Sequence, residues 1–157
     1  MKTALWFLCL LCVTSLVMAN DTARITAEDD VREAVFRHLF QHNASGLQKN
    51  AKAYFLNVEK GADPADVFLN RFTGHAPPVK KASQSRRGAR SSQVEDKETG
   101  APGLVFSITR ITWLSDTEAE VHGGYYEANL SASFGSYRVK KINGKWIVTE
   151  TGPQMIA

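Results

Sequence analysis

The pattern of hydrophobic and polar positions after residue 26 predicts two helices before a run of strands. Over 27–42, apolar residues recur every three or four positions, which is the spacing of one face of a helix. Thr26 and Asp29 resemble a capping box at the start of this helix. Asp63-Pro64 predicts the start of a second, shorter helix, because aspartate caps helices and proline is tolerated at their first position.

The later pattern alternates with a period of two, as in strands that bury one face. The predicted strands cover residues 51–58, 79–84, 104–114, 117–128, 133–142 and 145–151. A change of phase near Thr109-Arg110 predicts a β-bulge. Asn143-Gly144 predicts a tight hairpin, and pairing across it places Tyr137 opposite Glu150. The sequence therefore predicts an α+β fold, in which a long N-terminal helix and a short second helix pack on a curved antiparallel sheet of four to six strands.

Residues 85–103 are rich in serine, glycine and charged residues, which predicts a flexible loop. Five basic residues without an acid lie at and just before its start: Lys80, Lys81, Arg86, Arg87 and Arg90. Such a cluster could bind phosphate, an acidic polysaccharide or the cell envelope. No aromatic residues alternate with these charges to stack on bases, so nucleic acid is not an expected partner.

The first nineteen residues have the pattern of a secretory signal peptide. Lys2 precedes an almost unbroken apolar run over 4–17, and small or modest residues lead to a cleavage site near Ala19. The run is shorter than the ~20 residues that span a membrane, so we expect cleavage and no membrane span afterwards. The prediction is a secreted or periplasmic protein.

What remains after cleavage is predicted to be a leader over 20–25, a single domain over 26–152 and a tail over 153–157. Both cysteines, Cys9 and Cys12, lie inside the signal segment. The mature chain is therefore expected to lack disulfides, thiol catalysis and cysteine metal sites. The net charge of +3 is too small to indicate nucleic acid or a membrane surface by itself.

The order of these elements, closed by YRVKKINGKWIVTETG at 137–152, resembles the nuclear-transport-factor-2-like group of cystatin-like cone folds. More loosely, the chain resembles the small exported bacterial proteins of this shape that have no assigned role. The resemblance covers roughly 26–151 and implies a sheet that curves around the first helix, with a homodimer through the sheets as a candidate state. Such proteins include binding modules, dehydratases, isomerases and interaction proteins, so the fold selects no function. Cystatin-type protease inhibition is not expected, because Gln-x-Val-x-Gly is missing.

Aromatic residues of the last strands are the predicted ligand-binding residues at the mouth of the concave sheet: Tyr125, Tyr126, Tyr137 and Trp146. The leading hypothesis is a non-catalytic module that binds a small apolar ligand or a protein partner there. The alternative is an isomerase- or dehydratase-like enzyme in which Glu127 or Glu150 acts as general acid or base beside Tyr137. Binding of an anionic polymer or the envelope through residues 80–90 is the third hypothesis.

Histidine spacing allows a metal site but does not favour one. His38 and His42 lie four apart on the first helix, where two imidazoles share a face. Leu39 stands where the zinc-protease pattern needs glutamate, so that class is rejected. Glu118, Glu120 and His122 share one strand face, which is typical of solvated positions. We therefore predict no metal and no cofactor; Asn43 and Asn129 match the glycosylation sequon, whose use depends on the host.

Overall fold

A long helix covers one face of a curved sheet in the computed structural model, which describes residues 24–43, 45–59, 61–89 and 92–156. Helix α1 occupies residues 24–41. Its predicted apolar stripe is buried against the sheet and comprises Val31, Val35, Phe36, Leu39 and Phe40. The predicted signal segment 1–19 lies outside the described residues. None of the helices in the described ranges has the length and apolar character to cross a bilayer.

In the described ranges, eight strands follow α1. They are β1 (Ala53–Val58), β2 (Val79–Lys81), β3 (Ser85–Arg87), β4 (Val94–Asp96), β5 (Gly103–Ser115), β6 (Glu118–Ala128), β7 (Ser131–Ile142) and β8 (Lys145–Ile156). The main sheet has the order β2-β1-β5-β6-β7-β8, and β3 pairs with β4 in a separate two-stranded sheet. The predicted α+β class is confirmed, with a long helix, a short helix and a curved sheet of six strands.

The main sheet is mixed rather than wholly antiparallel. Strands β5 to β8 form the predicted antiparallel meander, but β1 runs parallel to both of its neighbours, β2 and β5. The chain between β1 and β2 contains the short helix α2 (Asp66–Leu69) and a 3-10 turn (Asn70–Phe72). A crossover of this kind lets β2 run in the same direction as β1, whereas a tight hairpin would reverse the chain.

The second helix begins later than the sequence predicted. Asp63 does not cap it, because the Asp63 carboxylate accepts a hydrogen bond from the backbone N–H of Ser83 at 2.9 Å. The extended residue before the helix is Ala65, whose side chain makes no capping hydrogen bond. Asp63 therefore connects the start of the crossover to the segment after β2 instead of starting the helix.

The segment predicted as a loop over 85–103 contains the β3–β4 hairpin. Its anchor is Asp96, whose side chain is 2% exposed and accepts a hydrogen bond from the Lys80 ammonium at 2.7 Å. The Asp96 carboxylate also accepts hydrogen bonds from the backbone N–H groups of Glu98 and Thr99. Composition did not predict the hairpin, because its polar residues bond to one another instead of alternating with apolar residues.

The last hairpin departs from its predicted register and length. Lys141 faces Trp146, as simple pairing across Asn143-Gly144 requires, but β8 contains an extra residue near Thr149. The Thr149 hydroxyl donates to the carbonyl of Arg138 at 3.3 Å within this irregularity. As a result the expected pairing of Tyr137 with Glu150 is wrong, and Tyr137 faces Thr151. The predicted tail over 153–157 belongs to β8 up to Ile156.

Alternation along the strands divides the core into two parts. On the side that packs against α1, the core includes Leu104, Phe106, Tyr125, Tyr137 and Val139. We call this the helix side of the sheet. The opposite side, which we call the outer side, holds a smaller apolar cluster of Ala53, Phe55 and Val94 with Val105 and Tyr126 packed against it. The main sheet therefore has two faces on which a ligand could bind.

Candidate functional site

A cavity of about 120 Å³ lies between the end of α1 and the helix side of β6, β7 and β8. We call it the helix-side cavity. Its lining residues are Leu39, His42, Asn43, Tyr125, Ser133, Tyr137, Thr151, Gln154 and Ile156. Seven of these nine residues carry a hydrogen-bonding side chain, and Leu39 and Ile156 supply aliphatic surface.

Side chains of β7 and β8 form a small hydrogen-bond network in the cavity. The hydroxyls of Tyr137 and Ser133 both donate to Gln154 Oε1, at 3.2 and 3.3 Å. Gln154 Nε2 donates to the carbonyl of Gly152 at 3.2 Å, which fixes the orientation of the amide. Gly124 on β6 makes the close strand approach possible, because a Cβ there would lie 1.9 Å from the carbonyl oxygen of Ser133.

The two cavity tyrosines remain protonated at neutral pH. Burial, and next the charge of Glu127, raises the pKa of Tyr125 above its usual value. Burial also raises the pKa of Tyr137, against the opposing effect of the hydrogen bond to Gln154. The Tyr125 hydroxyl is therefore available as a hydrogen-bond donor, whereas Tyr137 already donates its one proton to Gln154.

The two histidines of α1 pack against each other beside the cavity. Their rings stack with centroids 4.5 Å apart, and the ring of His38 meets Tyr137 edge-on at 5.7 Å. His42 Nδ1 donates to the carbonyl of His38 at 3.2 Å. Burial, and next the proximity of His42, lowers the pKa of His38, so its imidazole is neutral at pH 7. The pair thus packs at the boundary of the core.

Glu127 is a buried carboxylate next to this cavity. Its side chain is 1% exposed, and Oε2 accepts hydrogen bonds from the hydroxyls of Ser45 and Ser131, the second at 3.0 Å. Oε1 is buried without a hydrogen-bond partner among the described residues. Two residues before it on β6, Tyr125 lines the cavity, whereas Glu127 itself is not part of the lining.

The other two predicted catalytic residues, Glu150 and Tyr137, do not face each other in the structure. Glu150 is exposed and pairs with Arg138 along the β7–β8 ladder. Tyr137 is in the cavity, where Thr151 takes the position opposite it. The extra residue in β8 is the reason, because it moves Glu150 out of the register that would have placed it beside Tyr137.

The predicted ligand-binding aromatics do not share one site. Tyr125 and Tyr137 line the helix-side cavity, but Tyr126 has the opposite phase and lies on the outer side. Trp146 lines a separate polar depression with Asp30 and Lys145, and its ring meets Trp113 edge-on at 5.5 Å. Adjacent strand residues point to opposite faces, so the neighbouring pair Tyr125 and Tyr126 could not both face one pocket.

Most of the predicted basic cluster is paired with carboxylates. Lys80 contacts Asp96, Lys81 contacts Asp66 at 2.7 Å, and Arg86 contacts Glu95 at 3.2 Å. The guanidinium of Arg87 instead lies 4.5 Å from the centre of the Tyr126 ring. Arg90 lies outside the described residues.

The strand residues weighed as metal ligands are engaged with arginine and with each other. Glu118 and Glu120 both contact Arg138, at 3.2 and 3.6 Å, and His122 contacts Glu120 at 3.2 Å. Within the part of the chain that the structure describes, no group of three or more His, Cys, Asp or Glu residues could hold a metal ion. Sequence patterns gave no indication of Ser133 or Gln154, because neither belongs to a motif with recognisable spacing.

The architecture is compatible with a cone-like fold, since a long helix packs on a curved mixed sheet. No protein-family model, curated protein or solved structure matches this chain. The chain thus has an α+β fold, and its two faces carry the cavities that bear on its function.

Proposed function

We propose that this protein is a non-catalytic binding module whose helix-side cavity holds one small molecule. The observation that carries the proposal is the convergence of two tyrosine hydroxyls, the Gln154 amide and the His42 ring on one cavity between α1 and the sheet. A concave site with a few convergent polar groups is the usual form of a ligand site.

The size and lining of the cavity indicate what the ligand would be. A volume of about 120 Å³ is below the ~300 Å³ at which sites for drug-sized ligands begin, so the ligand is small. The described lining residues include no carboxylate, lysine or arginine, which favours a neutral molecule. Protonated Tyr125 would donate a hydrogen bond to its oxygen, the hydroxyl oxygen of Tyr137 would accept one from it, and Leu39 and Ile156 would contact its apolar part.

One observation favours an acid–base enzyme as the second candidate. Glu127 Oε1 is buried without a partner among the described residues, two positions from Tyr125. A buried carboxyl beside a cavity can transfer protons if a substrate reaches it. The reaction type would be proton transfer within a small carbonyl compound, as in an isomerase or dehydratase. This alternative requires Glu127 alone, because Glu150 is on the exposed part of β8.

NMR titration with small neutral probes tests the binding proposal. Probes such as cyclohexanone, phenol and butyramide should shift the amide signals of Tyr125, Thr151 and Gln154. Tyr137→Phe should weaken the binding of a responding probe about tenfold, which is the loss of one hydrogen bond. Tyr54→Phe is the matched control, because its hydroxyl contacts Gln48 outside this cavity, and its affinity should equal that of the wild type.

Two results of this titration would decide against the proposal. Equal affinities of the Tyr137→Phe and Tyr54→Phe variants would exclude the cavity as the site. Conversion of a probe by the wild type, lost in Glu127→Gln, would establish the enzyme instead.

We also propose that the protein functions outside the cytoplasm, in a secreted or periplasmic form. The support is the charged start, apolar run and small residues of 1–19. Expression of the full chain in a bacterium with an intact secretion system should yield a periplasmic or medium fraction whose N-terminal sequence begins at Asn20. A chain that starts at Met1 in the cytoplasmic fraction would refute export.

A further inference from the structure

The outer side of the sheet carries a larger cavity of about 490 Å³, which we call the outer groove. Its floor comes from β1, β5, β6 and β7, and its wall comes from the β3–β4 hairpin. The lining residues are Asn57, Ala82, Ser85, Arg86, Arg87, Val94, Val105, Ser107, Tyr126 and Phe134. This volume falls within the roughly 300–1,000 Å³ of small-molecule sites.

The charged side chains in the lining of the outer groove are basic. Among the residues that the structure describes, the lining includes two arginines and no carboxylate. Arg86 contacts Glu95 at 3.2 Å, whereas the Arg87 side chain forms no ion pair or hydrogen bond with any residue in the described ranges. Arg87 stacks on Tyr126, and a guanidinium held by its face keeps the N–H groups of its edge available to an anion.

The floor is apolar apart from Asn57 and Ser107, and the wall contributes the apolar side chain of Val94. Val94 is 1% exposed, and Val105 and Tyr126 pack against the same cluster. Phe134 of β7 adds a second aromatic ring to the lining. An apolar floor with a cation at its wall matches a molecule with a hydrocarbon body and an anionic end.

The hairpin wall is fixed to the sheet from several directions. The Tyr126 hydroxyl donates to the carbonyl of Ser92 at 3.1 Å. Lys80 contacts the buried carboxylate of Asp96, and Glu95 forms a β-bridge with Pro102. Because these contacts hold the groove open in the unliganded chain, a ligand need not order it on binding.

We propose that the outer groove binds a small anionic amphiphile, with its carboxylate on the Arg87 guanidinium and its apolar body along Val94, Val105 and Phe134. Among the described residues of the groove, Arg87 is the one cation without a carboxylate partner, which suits one headgroup rather than a polymer. Lys80, Lys81 and Arg86 are each committed to a carboxylate of the protein, so they offer no continuous positive track. This site is separate from the helix-side cavity and does not depend on the function proposed there.

Calorimetric titration with monomeric decanoate, decanol and acetate tests this proposal. Decanoate should bind one to one. Decanol and acetate should each bind at least about tenfold more weakly, because decanol lacks the carboxylate and acetate lacks the long hydrocarbon chain. Arg87→Gln should weaken decanoate about tenfold or more. Ala82→Phe, which places a ring at the rim without a change of charge, should also reduce decanoate binding.

Matched variants separate this site from the rest of the protein. Arg110→Gln removes an exposed arginine of β5 that contacts His122 outside the groove, and decanoate affinity should stay at the wild-type value. Tyr137→Phe should leave it unchanged too, whatever its effect in the helix-side cavity. Circular dichroism checks that each variant is folded. Equal binding of decanoate and decanol, equal binding of decanoate and acetate, or undiminished binding by Arg87→Gln would overturn the proposal.

Discussion

Phe106→Ala is expected to lower the free energy of unfolding by about 3–5 kcal/mol, the usual cost of deleting a buried phenylalanine ring. Phe106 lies on β5 with no solvent exposure. Its ring centroid is 5.0 Å from those of Phe40 on α1 and Tyr54 on β1. The substitution leaves a cavity where the helix, the parallel strand and the meander meet, so three parts of the fold lose contacts at once.

Urea unfolding followed by circular dichroism measures this change. Leu114→Ala on the same strand is the control, because Leu114 is 49% exposed and its truncation should stay within about 0.5 kcal/mol. If both variants lost equal stability, the helix would not pack on β5 at Phe106. The denaturant dependence should stay constant for both variants if unfolding remains two-state.

The elements that the sequence predicted best are those whose burial is regular. The helical spacing of Val35, Leu39 and their neighbours required one buried face, and α1 has it. The meander from β5 to β8 follows from alternation and from Asn143-Gly144, and the register change between Ile108 and Arg110 matches the predicted bulge. In these segments local pattern and tertiary packing select the same structure.

Long-range pairing could not be predicted in the same way. The parallel pairing of β1 with β2 and β5 depends on where the crossover through α2 directs the chain, which no local pattern specifies. Pro153 is typical of a strand end, yet β8 continues through it to Ile156. An edge strand tolerates this residue because the N–H that proline lacks can face away from the sheet.

Of the candidate site, the sequence predicted only those features that depend on which face of a strand a residue occupies. Tyr125 and Tyr137 share a face of the sheet and line one cavity, whereas Tyr126 lies on the other face. Gln154 enters the cavity only because β8 contains irregularities that shift its register against β7. The same shift places Glu150 outside the cavity. The register of β8 therefore determines which functional groups line the cavity.

On the outer side of the sheet, Asp96 anchors the hairpin that forms the wall of the outer groove. It is buried in the segment that the composition predicted as a loop, and its carboxylate joins the β3–β4 hairpin to Lys80 on β2. Without this anchor the wall of the outer groove would be attached by the contacts of Tyr126 with Ser92 and Arg87 and by the bridge between Glu95 and Pro102. Asp96 is therefore a structural residue on which the proposed amphiphile site depends.

Asp96→Asn is accordingly expected to cost about 2–3 kcal/mol of unfolding free energy, somewhat less than breaking a fully buried ion pair, because the Lys80 side chain keeps 24% of its surface exposed. The hydrogen bond from Lys80 holds the pKa of Asp96 below its usual value, against the opposing effect of burial. The stability that this carboxylate contributes is thus complete above its unfolded pKa of about 3.9, and it is lost as the pH falls through the lower folded value.

Urea unfolding at a series of pH values from 7 to 2 measures both effects. The stability difference between wild type and Asp96→Asn should be constant near neutrality and should shrink as the solution becomes acidic. Asp116→Asn removes the same charge from the exposed turn between β5 and β6, and its curve should follow that of the wild type. If Asp96→Asn and Asp116→Asn behaved alike, the hairpin would not depend on the buried carboxylate. Decanoate titration of Asp96→Asn then tests whether the loss reaches the outer groove, where we expect weaker binding because its wall is no longer anchored at Lys80.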